Sequence, residues 1–449
     1  MATFALVTLP LSGHIHPMMA AARALMRSGH RPVVVGPPDL VARIPDDIET
    51  RVIGAADFPR GELDLVCSCL SRMRSWSDMQ SMFSLTAALS RFYIRHLPRA
   101  LERLGADGVI HDQLEPGAGL VGRGLASRHF AHVSLACALP MNREPSVPPP
   151  FMGWRYREGA YGHWLNGGYY NVVNWLLREQ CAVLADGAAR FGLSKPDGLE
   201  DWQQPWTVDD GLSRLADLAQ GLASLDFPRQ RPPVYLGPFR DDASAYPGVD
   251  SIACERDGRP LAFISLGTLM GGRAKVLSAM ARAAIDNGLQ PVVVHGGRLD
   301  DTSALPSGTI ARDFLDQRAV LRDAKAAIIH GGYNSTTDAV AAGVPLVTVP
   351  IAFEQAAIAA RVERAGLGHK VSSTGPALSA RISKALDGVM RSDAVAKNAR
   401  RARFEAMAAP GLDGLVAAVD GALGGYAPAP DGPHAAPGRA ALGAALPAE

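Results

Sequence analysis

Ala326-Ala327-Ile328-Ile329-His330-Gly331-Gly332-Tyr333-Asn334-Ser335-Thr336-Thr337-Asp338 runs from a wholly apolar stretch, through two glycines, into residues that cap helices. The apolar run reads as a strand buried on both faces, and the turn after it opens a helix. The glycines let a backbone approach a ligand closely. Asn334 and Ser335 can donate to an anion at the helix N-terminus, with His330 as a further donor. Asp338 lies one turn beyond Asn334 on the same side, where it can accept from ribose hydroxyls. An ordinary strand–turn–helix with capping residues is the plainer reading, and the density of donors weighs against it.

The same rhythm extends outward. Leu261-Ala262-Phe263-Ile264-Ser265, Pro291-Val292-Val293-Val294 and Pro345-Leu346-Val347-Thr348-Val349 are further strands of the second half. Phe4-Ala5-Leu6-Val7, Val33-Val34-Val35, Val109-Ile110 and His132-Val133-Ser134-Leu135 are strands of the first, with a helix from about Pro17 to Ser28. Continuous apolar strands alternating with helices predict two doubly wound α/β domains. Residues 1–225 form the first. Residues 226–248, where Pro228, Pro232, Pro233, Pro238 and Pro247 preclude a helix, are the linker. Residues 249–426 form the second domain, whose last helix is free to cross back to the first. Residues 427–449, rich in Ala, Pro and Gly without aromatic or β-branched anchors, read as a disordered tail.

Composition bounds the function. The 449 residues carry 45 basic and 44 acidic side chains, a net charge of +1, and 47% are hydrophobic. That excludes an intrinsically disordered protein and argues against a nucleic-acid partner, which calls for a basic excess gathered in a patch. Five scattered cysteines lack the spacing of a zinc site or a disulfide framework. The first apolar run has no basic leader, so it reads as a strand and not a signal peptide. No stretch of 18 apolar residues free of Gly, Pro and charge is present, so no transmembrane helix is expected. A cytoplasmic protein is the expectation, with contact at a membrane surface left open.

Ligands of open parallel sheets bind at the carboxyl ends of strands. After the first strand, Gly13-His14 sits in the loop before Pro17, which suits a first helical position. His14 is placed for proton abstraction, and Asp112, just past Val109-Ile110, for orienting that imidazole and stabilising its cation. Capping roles are the bland alternative for each. Ser265-Leu266-Gly267-Thr268 reads as a second phosphate loop. Phe314 offers a flat face for a base with Gln317 beside it, and Glu354-Gln355 offer acceptors and an amide for sugar hydroxyls.

In order along the chain, Gly13-His14-x-x-Pro17, Ser265-Leu266-Gly267-Thr268, Phe314-x-x-Gln317, His330-Gly331-Gly332-x-Asn334-Ser335 and Glu354-Gln355 resemble the family 1 glycosyltransferases, up to about residue 426. Val109–Pro116 and Leu135–Pro145 resemble, within that family, the bacterial zeaxanthin glucosyltransferases of carotenoid biosynthesis. The resemblance implies the GT-B fold, two Rossmann-like domains facing each other across a cleft. It implies a UDP-sugar as co-substrate, no cofactor and no metal. His14 matches the family's base and Asp112 its supporting carboxylate. His330, Asn334, Ser335 and Thr268 match diphosphate contacts, with Gly13, Ser265, Gly267 and Gly332 in the same loops. Asp338 stands where a Glu holds the ribose, Phe314 where a Trp stacks on uracil, and Gln317 matches a ribose contact. Glu354 and Gln355 match an acidic–Gln pair on the sugar hydroxyls, with Glu where Asp is usual, so the choice of glucose stays open. Inverting transfer of glucose to a hydroxyl of zeaxanthin is the implied reaction. Another lipophilic acceptor (macrolide, polyketide, sterol or flavonoid) is the alternative, with a sugar-nucleotide epimerase or a non-catalytic relative behind it. Phe151, Trp154, Tyr156, Tyr161, Trp164, Tyr169 and Tyr170 are candidates for an apolar acceptor cleft or a membrane-resting face.

Overall fold

The computed structural model describes residues 1–63, 76–127, 129–195, 205–240 and 246–424. The tail 427–449 and Trp202 lie outside the described residues.

Two parallel sheets carry the molecule. The first has seven strands: β1 (Thr3–Val7), β2 (Arg31–Gly36), β3 (Glu49–Val52), β4 (Gly108–Asp112), β5 (Ala131–Ala136), β6 (Ala216–Ala219) and β7 (Val234–Tyr235), in the order β3-β2-β1-β4-β5-β6-β7. The second has six: β8 (Leu261–Ser265), β9 (Gln290–Val294), β10 (Ile310–Arg312), β11 (Ala324–Ile329), β12 (Leu346–Thr348) and β13 (Gly368–Lys370), in the order β10-β9-β8-β11-β12-β13. Both are doubly wound. Strand order reverses between β1 and β4 in one sheet and between β8 and β11 in the other. At such a switch point the two flanking loops leave in opposite directions and open a crevice. Register brings Val7 beside His111, and Ser265 beside Ile329, so the loops after these strands start level with one another.

Each sheet is covered on both faces, which is why its central strands contain unbroken apolar runs such as Phe4–Val7 and Ala326–Ile329. One face of the first sheet packs on the helix Ser12–Arg27 through Met18, Ala21 and Leu25, and the other on the helix Trp76–Leu104 through Phe92, Leu97 and Leu101. The final helix, Gly411–Leu423, inserts Leu415, Val419 and Ala422 into the first of these cores although it follows the second domain in sequence. A smaller apolar cluster joins the domains: Ala138, Leu139 and Met141 after β5 meet Tyr333, Ala357 and Ile358.

Three features differ from the sequence expectation. The first helix begins at Ser12, so His14 lies in its first turn and Pro17 within it. A helical Pro17 has no N–H for the carbonyl of Gly13 four residues earlier, and that carbonyl is used elsewhere. Strands β3, β6, β7, β10 and β13 carry charged residues or are very short, so apolar runs did not reveal them. The proline-rich stretch 226–248 contributes the edge strand β7, and Asp226 within it is a buried anchor. Its carboxylate takes Arg361 Nε and Arg229 Nε, each at 2.7 Å, and Tyr235. The two arginines hold this carboxyl well below the usual carboxylate range, against the opposing effect of burial.

Candidate active site

The switch point of the first sheet brings two distant residues together. His14 Nδ1 lies 2.6 Å from Asp112 Oδ2, both residues buried. A carboxylate only accepts, so Nδ1 carries the proton, and the ring's other nitrogen makes no hydrogen bond to the described residues. Asp112 is held in turn by Leu114 N–H on Oδ1 at 3.0 Å, and the Cys137 sulfur lies within 4.8 Å. Asp112 does not cap the following helix. That task falls to Glu115, whose carboxylate accepts from Gly117 N. Burial works to lower the pKa of His14, but the charge and hydrogen bond of Asp112, with Glu354 adding to them, outweigh it and raise it above its ordinary 6.5. Asp112 stays ionised because His14 and its other donors outweigh the desolvation of its charge.

His14, Asp112 and Cys137 have their nitrogen, oxygen and sulfur atoms within 4.8 Å of one another, the one grouping of metal-ligand types among the described residues.

The second sheet's switch point assembles the other candidates, and several of them in altered roles. Gly332 ends the turn before the helix Tyr333–Ala342, and any side chain there would strike His330, since a Cβ would stand 2.4 Å from its ring. Gly267, at φ +71°, faces the same ring. His330 is boxed in, and burial lowers its pKa to about 4. Its Nδ1 lies 3.3 Å from the Ser265 carbonyl, which can only accept, so the neutral ring offers a lone pair at its second nitrogen. In that tautomer His330 would donate there only after changing tautomer or gaining a proton. Ser265 uses its hydroxyl within the sheet, donating to Val294 O and accepting from Gly267 N, so it shapes the loop. Thr268, at the start of the short helix Gly267–Met270, makes no side-chain hydrogen bond to the described residues.

Asp338 already has partners of its own. One oxygen takes Arg240 Nε at 2.6 Å and the other takes Gln317 Nε2. Its carboxylate already has two donors, so in this state it fixes Arg240 and Gln317 before any hydroxyl arrives. Gln317 in turn accepts from Ser335 Oγ at 2.9 Å. Phe314, 40% exposed, stacks on Tyr246 at 5.1 Å and 12° between planes, which leaves much of it uncovered. Gln355 spends its oxygen on Ile351 N and Ala352 N, stabilising the turn before its own helix Gln355–Arg364, and only its amide nitrogen remains for a ligand. Beside it Phe353 is held at φ 56°, a conformation costing about 1–3 kcal/mol for a non-glycine residue. Burial raises the pKa of the Glu354 carboxyl, opposed by the charge of His14. That electrostatic coupling spans the two domains.

A hydrogen bond between the domains lies at this turn: Asn334 Nδ2 donates to the carbonyl of Gly13 at 2.9 Å. It is the carbonyl that Pro17 leaves without a helical partner.

Three further residues were not read from the sequence. Gln220, Arg240 and Cys137 all contact the candidates above. Gln220 follows β6, so the rule of searching after strands would have found it. Asp217 in the middle of Ala216-Asp217-Leu218-Ala219 hid that strand. This aspartate is half-buried and takes Gln113, Ser134 and Asn142 as donors.

The aromatic segment divides. Tyr170 is buried, with Arg143 4.8 Å above its ring, and Tyr156 stacks on Phe227. Trp154 packs edge-on against Tyr169. On the helix Gly159–Leu176, by contrast, Tyr161, Trp164 and Trp175 are exposed, Trp164 by 72%. Arg157 and Arg178 lie over Tyr161 and Trp175.

Residues 277–419 match the family described as Erythromycin biosynthesis protein CIII-like, C-terminal domain. The zeaxanthin glucosyltransferase of Pantoea ananas is 30% identical over 380 residues, covering 83% of this chain and 85% of the relative. Among solved structures, the calicheamicin glycosyltransferase CalG4 superposes with a TM-score of 0.68 at 22% identity, over 95% of this chain and 99% of its own. The spinosyn rhamnosyltransferase SpnG, complexed with thymidine diphosphate, gives a TM-score of 0.65 at 18% identity, over 94% and 100%.

Proposed function

Because this chain belongs to the family 1 glycosyltransferases of GT-B fold, and is therefore a sugar-transferring enzyme, we propose that it moves glucose from UDP-glucose to a hydroxyl of a carotenoid, zeaxanthin, with inversion. The observation that carries the reading is the hydrogen-bonded His14–Asp112 pair standing beside Gly13, whose carbonyl is bonded to Asn334 of the other domain. A base and a helix N-terminus thereby meet at one cleft, as a displacement at an anomeric carbon requires.

In this reading the unprotonated nitrogen of His14 takes the proton of the acceptor hydroxyl as its oxygen bonds to the anomeric carbon. The bond from that carbon to the UDP oxygen breaks on the opposite face. Asp112 stabilises the imidazolium. The departing diphosphate is met by Asn334 and the backbone N–H groups that open the helix Tyr333–Ala342, that of Ser335 among them, an electrostatic role that needs no divalent ion. Glu354 and the amide nitrogen of Gln355 hold the sugar hydroxyls, and Phe314 carries the uracil. The similarity of Val109–Pro116 and Leu135–Pro145 to carotenoid enzymes, together with the identity to the Pantoea relative, supports the acceptor.

Incubation of the purified protein with UDP-glucose and zeaxanthin should release UDP and form mono- and diglucoside, read by chromatography. UDP release with a macrolide, sterol or flavonoid but none with zeaxanthin would assign another lipophilic acceptor.

The exposed aromatic face of Gly159–Leu176 suits a bilayer surface from which such an acceptor is drawn. Tryptophan and tyrosine favour the headgroup boundary, and arginines favour anionic lipid. No single helix among the described residues is long and apolar enough to cross a membrane. Phosphatidylcholine–phosphatidylglycerol vesicles should pellet the protein, and Trp164→Glu with Trp175→Glu should cut the pelleted fraction by about tenfold without changing UDP affinity. Wild-type protein that stays in the supernatant would dismiss this surface role.

A further inference from the structure

Gln220 is fully buried where the two domains meet. Its amide nitrogen donates to Asn334 Oδ1 at 2.8 Å and to the Cys137 carbonyl. Its amide oxygen accepts from Arg240 Nη1 at 3.0 Å and Phe239 N at 3.4 Å. A carbonyl can only accept and a guanidinium or backbone N–H can only donate, so these partners leave the Gln220 amide one orientation.

That orientation is passed on. Since Gln220 presents N–H, the atom of Asn334 facing it must be the carbonyl oxygen, and Asn334 Nδ2 is turned to the other side, where Gly13 O accepts. The nitrogen has two protons. One serves Gly13, and the second stays available to a phosphate oxygen without breaking that bond. Without Gln220, only the Gly13 carbonyl would keep the Asn334 amide from turning over and setting its oxygen against the diphosphate. Arg240 Nη2 fixes the same turn from behind, through Asn334 O and Thr337 Oγ1.

We infer that Gln220 is a positioning residue for donor binding: it holds the Asn334 amide with its N–H side toward the diphosphate and ties that amide to the turn carrying His14. The inference rests on the reading of Asn334 as a diphosphate contact. It makes the donor site a product of both domains, since Gln220 follows a strand of the first sheet.

Titration with UDP, alongside steady-state kinetics, tests it in the full chain with Asn334→Ala, Gln220→Leu and the double variant. Asn334→Ala and Gln220→Leu should each weaken UDP about tenfold, and Gln220→Leu should cost nothing further in the Asn334→Ala background. The donor KM should rise while the acid limb of the pH profile, set by His14, keeps its position. The nearly isosteric Gln220→Glu, which replaces the donating amide by acceptors and so favours the reversed Asn334, should weaken UDP more than Gln220→Leu does, and it carries the test alone if the leucine variant does not fold. Equal losses from Gln220→Leu in both backgrounds would mark a merely structural residue and overturn the inference. So would wild-type UDP affinity in Gln220→Leu or Gln220→Glu when Asn334→Ala is weakened. Undiminished UDP affinity in Asn334→Ala would instead remove the reading of Asn334 itself, and the inference with it.

Discussion

Replacing His14 with alanine should lower kcat by about 10²- to 10⁴-fold, the range supplied by a positioned general base. The side chain is not a core filler: its Nδ1 is bound to Asp112 and its other nitrogen has no partner among the described residues. Its removal therefore takes away a proton acceptor rather than a packing element. UDP affinity should change by less than about twofold, because the proposed diphosphate contacts belong to the helix Tyr333–Ala342, and the link to this turn runs through the backbone carbonyl of Gly13, which alanine keeps. Single-turnover transfer and UDP titration measure the two effects separately. Undiminished turnover in this variant would overturn the assignment of the base. Equal losses in turnover and UDP affinity would point to a disturbed helix start instead.

Asp112→Asn should reduce kcat by about 10²-fold or more and move the pH dependence, which a purely steric role would not do. The sign follows from the environment of His14. Its pKa in the folded protein is raised above 6.5, so the base is lost as pH falls through that higher value, and the acid limb of kcat/KM should lie above pH 6.5 in the wild type. Burial alone pulls the pKa of the ring downward, and Asp112 supplies the charge and the hydrogen bond that reverse this. An uncharged asparagine therefore lets burial prevail, and the acid limb should shift below 6.5 while the plateau drops. An acid limb that stays in place in Asp112→Asn would mean that some other group sets it.

The strands around both switch points were legible because fully covered parallel strands must be apolar on both faces, and β1, β2, β4, β5, β8, β9, β11 and β12 are written that way. Edge and charged strands were not. β6 contains the half-buried Asp217, a charge inside a strand that is accommodated because Gln113, Ser134 and Asn142 converge on it from other segments. The helix start at Ser12 was missed for a related reason: Pro17 reads as a first helical residue until one sees that the carbonyl it leaves unpaired is taken by Asn334. Among candidate residues, the pairing of His14 with Asp112 was expected from two post-strand positions of one sheet, and the geometry brings them to 2.6 Å. His330 and Asp338 were identified as polar groups following β11, one in the turn and one in the helix, but what each offers a ligand was not written in residue type.

By itself, the sequence determined that the chain builds two parallel α/β sheets, which loops leave their carboxyl ends, and which polar residue types those loops carry, because burial dictates apolar periodicity and a post-strand position follows from it. Only the tertiary structure decided how those groups are presented. The proton on His330 is placed by a carbonyl 65 residues away, the carboxylate of Asp338 is engaged by Arg240 and Gln317, and the face of Asn334 is chosen by Gln220. An imidazole has two tautomers and an amide two faces, and neither choice is encoded locally. Each is made by the partner that folding brings within hydrogen-bonding distance.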